Sequence, residues 1–288
     1  MKQKLNYYII KFLLSLGKFL PKSMLFAFSK WVLMLYYYKK KVRRDITHSN
    51  LKKAFPEKSE AEIEAMAKEV YLNLSKTIAE LVLINANRFD IDASVSNAKQ
   101  SLAKLRELSA DASSGIIYVM AHYANWELLC HFMGKNGLPL LGIVKDGKNR
   151  LIDENILIPF REKYGNQTLS HSGSMISIAK ALKANKSIVM AIDQVVQPPN
   201  GIAVNFFGHE TYASKAVAAL KQKYNPKIIP IFIQRVAEGY QINIADEITS
   251  IESLSNMTQD YYDAIEAQIR KAPEQWLWLY NRWKRINI

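Results

Sequence analysis

His122 and Glu127 place an imidazole and a carboxylate with four residues between them, in the stretch His-Tyr-Ala-Asn-Trp-Glu. Before them an apolar run, Ile116 to Ala121, reads as a buried strand. After them the chain reads as a helix with Asn125 as its N-cap. On one continuous helix, positions five apart would face roughly 140° apart and pair poorly. In a strand-to-helix turn the chain doubles back, and the Glu127 carboxylate can reach one imidazole nitrogen. A carboxylate there fixes the tautomer and leaves the other nitrogen free to take a proton. The positive end of the helix is expected to favour neutral imidazole, the form a base needs. The plain alternative is an ordinary strand end followed by an ordinary helix start.

The elements around the pair alternate. Leu138 to Val144, Asn166 to Leu169, Ser187 to Ile192, Lys227 to Gln234 and Tyr240 to Ala245 read as strands. Helices are expected at Ser59 to Leu83, Asn97 to Leu108, Arg150 to Tyr164 (bent near Pro159), Ser174 to Ala184, Tyr212 to Tyr224 and Met257 to Lys271. This order predicts an α/β fold with a mixed, largely parallel central sheet flanked by helices. Sites in such sheets gather beyond the carboxyl ends of the strands. His122 follows one strand, Asp193-Gln194 a second, Lys145-Asp146 a third and Arg235 a fourth.

The chain has 288 residues and carries 39 Lys+Arg against 26 Asp+Glu, a formal net charge of +13. Such a balance suits an anionic membrane surface or an acidic substrate or carrier. No nucleic-acid-binding signature is present, so nucleic acid is not expected as a partner. Cys130 is the single cysteine and reads as a buried structural thiol in the helix after Glu127. Residues 1–38 are rich in apolar and aromatic side chains, but Lys11, Lys18, Pro21, Lys22 and Lys30 interrupt them. No unbroken stretch reaches the ~20 residues of a confident membrane span, and no signal-peptide pattern is evident. Two amphipathic membrane-docking helices, about Leu5 to Phe19 and Ser23 to Tyr38, fit better. Lys39-Lys-Lys-Val-Arg-Arg44 follows to meet anionic headgroups. Core helices packed on the globular part, or one tilted span, stay open. The expected division is a membrane-associated segment at 1–44 and an α/β domain at 45–288.

His122-Tyr-Ala-Asn-Trp-Glu-Leu-Leu129 resembles the His-x4-Glu block of the lipid A biosynthesis acyltransferases. Asn50 to Glu57, Arg161-Glu-Lys-Tyr-Gly165, Ala191-Ile-Asp-Gln194, Asn205-Phe-Phe-Gly208 and Pro273 to Lys284 resemble further blocks of that family, in family order across nearly the whole chain. The resemblance implies acyl transfer from a thioester, acyl-acyl carrier protein, to a hydroxyl of a phosphorylated lipid acceptor. That reaction would take place at the cytoplasmic face of a bacterial inner membrane. His122 is then the general base and Glu127 its orienting carboxylate. Substrate-binding roles fall to Asn125, Lys145, Arg161, Asp193, Gln194 and Arg235.

Each role has a structural alternative. Arg161 contacts a phosphate or oxyanion, or it makes an ion pair with a nearby carboxylate. Asp193 orients the acceptor or a cationic partner, or it caps the loop Gln194 to Gly201. Glu80 approaches the site, or lies on a solvated helix face. Phe206 and Phe207 wall an acyl channel, or are core. Arg282, Lys284 and Arg285 meet headgroups, or are solvated tail charges. Where many relatives carry an Arg-containing segment, this chain reads Gly142-Ile-Val-Lys-Asp-Gly-Lys-Asn-Arg150, with Lys145 as the candidate substitute.

His48, His131, His171 and His209 lack metal-ligand spacing, and no glycine-rich phosphate loop occurs, so no metal and no organic cofactor are expected. Three other readings compete. One is the same chemistry on a lysophospholipid, glycolipid or amino-acid lipid. Another is a membrane lipid-binding protein without catalysis. The third is a hydrolase, although the Gly-x-Ser-x-Gly elbow is absent.

Overall fold

The computed structural model describes residues 2–145, 147–170 and 174–283. Asp146, His171, Lys284 and Arg285 lie outside the described residues. A six-stranded sheet forms the centre, in the order β3-β2-β4-β1-β7-β8. Its strands are β1 (Ile116–Met120), β2 (Leu140–Val144), β3 (Gln167–Ser170), β4 (Ser187–Ala191), β7 (Lys227–Arg235) and β8 (Tyr240–Ile244). All neighbours run parallel except β8, which returns antiparallel along β7. All five residues of β1 are buried, as expected of a central strand covered on both faces.

Between β4 and β7 the chain forms a separate antiparallel hairpin, β5 (Gly201–Phe206) and β6 (His209–Ser214). This corrects the expected helix at Tyr212 to Tyr224, whose first three residues belong to β6; α10 begins at Ala216. Phe207 and Gly208 make the two-residue turn with φ of 55° and 74°, the left-handed geometry that suits strand twist.

The described chain opens with the helices α1 (Lys2–Leu16), α2 (Lys22–Lys39), α3 (Lys41–Ala54) and α4 (Glu60–Asn85). α4 starts with a full capping box between Ser59 and Glu62. α2 buries Leu25, Ser29, Leu33 and Tyr37, one residue per turn. That stripe lies on α4, where Ser29 Oγ donates to the Ser75 carbonyl at 2.7 Å and Tyr37 meets Tyr71 edge-on. Met24, Phe28, Trp31 and Tyr38 remain exposed on its other flank. Among the described residues no helix is long and apolar enough to cross a membrane.

The remaining helices are α5 (Ala98–Ala110), α6 (Trp126–Lys135), α7 (Arg150–Ile152), α8 (Ile158–Arg161), α9 (Ser174–Lys183), α10 (Ala216–Tyr224) and α11 (Leu254–Lys271). A π-helical turn at Asp153–Leu157 joins α7 to α8. It sits just before Pro159, which cannot donate to the preceding turn.

Candidate active site

β1 and β4 run parallel with Met120 opposite Ala191. Two residues beyond each strand end, the same register sets His122 beside Asp193. The Asp193 carboxylate takes the His122 ring nitrogen Nδ1 at 2.8 Å and the His122 backbone N–H at 3.0 Å. Its Oδ2 also accepts from Trp276 Nε1 at 2.8 Å. Three donors thus satisfy a carboxylate that is almost wholly buried. The expected pairing of His122 with Glu127 is replaced by this one. The Asp193 carboxylate thus contacts the imidazole, and among the described residues it makes no hydrogen bond to the loop after it.

Glu127 is in the first turn of α6, as expected, and its oxygens face Arg161 at the end of α8. Arg161 Nε and Nη2 both donate to Oε1, at 2.9 and 2.7 Å, a forked contact that anchors the guanidinium. Nη1 of Arg161 takes no hydrogen bond among the described residues.

Burial alone would lower the His122 pKa, but the charge and hydrogen bond of Asp193, joined by the charge of Glu127, raise it above the ordinary imidazole value. The expectation that the helix end would favour neutral imidazole is therefore overturned by two carboxylates. Burial opposes the charge on Asp193, yet His122 and the Trp276 N–H together hold its pKa below the usual carboxylate range. Burial pushes the Cys130 thiol up to about 12, consistent with a structural role.

The turn between His122 and α6 is held from several sides. Ala124 adopts φ 48°, its N–H donates to the Gln275 carbonyl, and its own carbonyl accepts from Thr77 Oγ1. The Leu277 N–H donates to the His122 carbonyl at 3.0 Å. The C-terminal segment thereby forms one side of a narrow cleft lined by His122, Trp126, Thr77, Asn73 and Gln275. His122 Nδ1 is occupied, while Nε2 takes no hydrogen bond among the described residues. Trp126 packs edge-on against the ring at 5.0 Å between centroids.

The family model for the bacterial lipid A biosynthesis acyltransferase matches residues 2–285. The chain belongs to that family. It is 24% identical to the lipid A biosynthesis palmitoleoyltransferase of Escherichia coli (strain K12) over 256 residues, which are 85% of this chain and 79% of that one. The lipid A biosynthesis acyltransferase of Shigella flexneri shows the same identity and coverage. The lauroyltransferase of lipid A biosynthesis in E. coli is 25% identical over 251 residues, 85% of this chain and 80% of that one.

Several residues expected to bind substrate in this acyltransferase have other work. Asn125 is fully buried; its Oδ1 caps the Leu128 N–H and its Nδ2 donates to Glu80. Arg235 lies after β7 as expected, but its guanidinium binds Glu80 through both oxygens and stacks on Tyr240. Glu80 also accepts from Tyr240 Oη, so it lies in a buried hub and not on a solvated face. Lys145 is exposed at the end of β2, which β4 separates from β1. Gln194 is exposed beside Asp193.

Phe206 and Phe207 are core, and Phe206 packs edge-on against Trp276. Arg282 is fully buried against Thr211 and Tyr262, which corrects its reading as a tail charge or headgroup contact. Trp276, Gln275 and Thr77 carry site roles that spacing did not indicate. The first two fall in the Pro273 to Lys284 block, whose resemblance was the available signal.

Proposed function

We propose that this acyltransferase moves a fatty acyl chain from acyl-acyl carrier protein to a hydroxyl of a lipid A precursor, with His122 as general base. The observation that carries the reading is the Asp193 contact on Nδ1, which leaves Nε2 as the nitrogen available to the cleft. In the step proposed, Nε2 takes the hydroxyl proton as that oxygen attacks the thioester carbonyl. The new C–O bond forms, the C–S bond breaks, and the imidazolium returns the proton to the departing thiolate. Asp193 and Glu127 stabilise the imidazolium between these transfers, Asp193 by contact and Glu127 through its charge. Arg161, anchored by Glu127, turns its free Nη1 edge to the developing oxyanion or an acceptor phosphate. The nucleophile is the acceptor itself, so no covalent enzyme intermediate enters.

Residues 1–44 are proposed to seat the protein on the cytoplasmic face of the bacterial inner membrane. Exposed Phe12, Phe19, Phe28 and Trp31 support this reading, as does the basic run Lys39 to Arg44.

The test is mass spectrometry of lipids after incubation with acyl-acyl carrier protein and either an under-acylated lipid A precursor or a lysophospholipid. An acyl mass gain on the lipid A precursor is expected. Gain only on the lysophospholipid would replace the acceptor, and free fatty acid alone would indicate hydrolysis.

A further inference from the structure

A second, solvent-open cavity lies between α1, the C-terminal end of α4 and the α7–α8 segment. Its polar lining includes Lys11, Lys18, Lys163, Ser15, Asn85 and Asn155, with no carboxylate among the lining residues. Among the described residues none of the three lysines forms a salt bridge. Lys163 Nζ donates to the Ile84 carbonyl at 2.6 Å and lies over the Tyr164 ring, and its partial burial lowers its pKa. Leu14, Ile156 and Phe160 supply an apolar wall.

The cavity is framed by fixed contacts. Gly17 lies so close to α4 that a Cβ there would stand 2.5 Å from Val82 Cγ1. Arg88 Nη1 holds the Gly17 and Leu20 carbonyls at 2.8 and 2.7 Å. At the other end of α1, Gln3 exchanges hydrogen bonds with Lys148 and Asn149. Tyr7, Lys11, Leu14 and Lys18 face the cavity, whereas Leu5, Tyr8, Ile9 and Phe12 are exposed around the opposite flank of α1. Lys11 and Lys18 are exposed and Lys163 is half-buried, so ammonium groups edge the opening on the side of α1 opposite its exposed apolar flank. Thr77 lines the His122 cleft and Asn85 lines this cavity, eight residues along α4 or about 12 Å.

We propose that this cavity is a phosphate-binding site, with Lys11, Lys18 and Lys163 as the counter-charges and the apolar wall receiving the first carbons of an amphiphile. Ammonium groups without a carboxylate partner, gathered at a concave and partly apolar surface, gain most from a multiply charged oxyanion. The site does not depend on His122 being the base.

The experiment is calorimetric titration of the full-length protein with dihexanoyl phosphatidic acid, dihexanoyl phosphatidylcholine and inorganic phosphate. It is repeated for Lys11→Ala/Lys18→Ala, Lys11→Arg/Lys18→Arg and His122→Ala. Phosphatidic acid is expected to bind at least about tenfold more weakly to the alanine variant, with affinity kept in the arginine and His122→Ala variants. Phosphatidic acid binding tighter than phosphate assigns the site to a lipid headgroup; equal affinities assign it to free phosphate. Phosphatidic acid binding the alanine variant as well as the parent, or no better than phosphatidylcholine, overturns the proposal.

Discussion

Asp193 Oδ1 lies 2.8 Å from His122 Nδ1, although 71 residues separate the two in sequence, while Glu127, five residues from His122, faces Arg161. Strand register brings the distant carboxylate in, and the near one anchors a guanidinium. Asp193→Asn should therefore lower transfer by about 10²- to 10⁴-fold, because the amide supports neither the tautomer nor the imidazolium. The acidic limb of the rate–pH profile, set above the ordinary imidazole value of 6.5 in the parent, should move down in the variant. Steady-state kinetics across pH would show this; a limb that stays in place would separate Asp193 from His122.

The same pair sets a stability window. His122 has a raised folded pKa, so its contribution is complete below the unfolded value and fades as pH rises through the folded one. Asp193 has a lowered folded pKa, so its contribution holds above the unfolded value and is lost as pH falls through the folded one. Urea denaturation should show stability falling at both ends of that range, with both slopes reduced in Asp193→Asn.

Glu127 and Arg161 should couple in stability. Their side chains are 11% and 30% exposed, so the pair is screened less than a surface ion pair. A double-mutant cycle with Glu127→Ala and Arg161→Ala should give an interaction energy above about 1 kcal/mol. A coupling near zero would mean that the fork seen here contributes nothing in solution.

Glu80→Ala should cost about 3–5 kcal/mol, since it strands the Arg235 charge and removes the partner of Asn125 and Tyr240. Denaturant midpoints report this directly. Because Asn125 starts α6, the loss should also reduce transfer in whatever fraction stays folded.

Local features were the legible ones. The apolar run of β1 and the Asn125 cap each depend on neighbours within a few residues, and each forms where expected. The hairpin β5–β6 escaped notice because its turn uses Phe207 in a left-handed conformation, without the Asn-Gly signal of such turns. Asp193 was visible at a strand end, but its partner was not, since spacing within the chain does not say that β4 lies beside β1. Glu80 was misjudged for a related reason. α4 buries the polar residues Asn73, Ser75, Thr77 and Glu80, of which Asn73 and Thr77 line the His122 cleft, and a helical pattern read from apolar residues places them outside.

The measurement that bears most directly on His122 as base is single-turnover transfer from acyl-acyl carrier protein by His122→Ala, with folding checked by circular dichroism. The parent should convert enzyme-bound donor to acylated lipid, and the folded variant should lose at least about 10²-fold in that rate. A folded variant that transfers at the parent rate would contradict the mechanism, whatever Asp193 and Arg161 contribute.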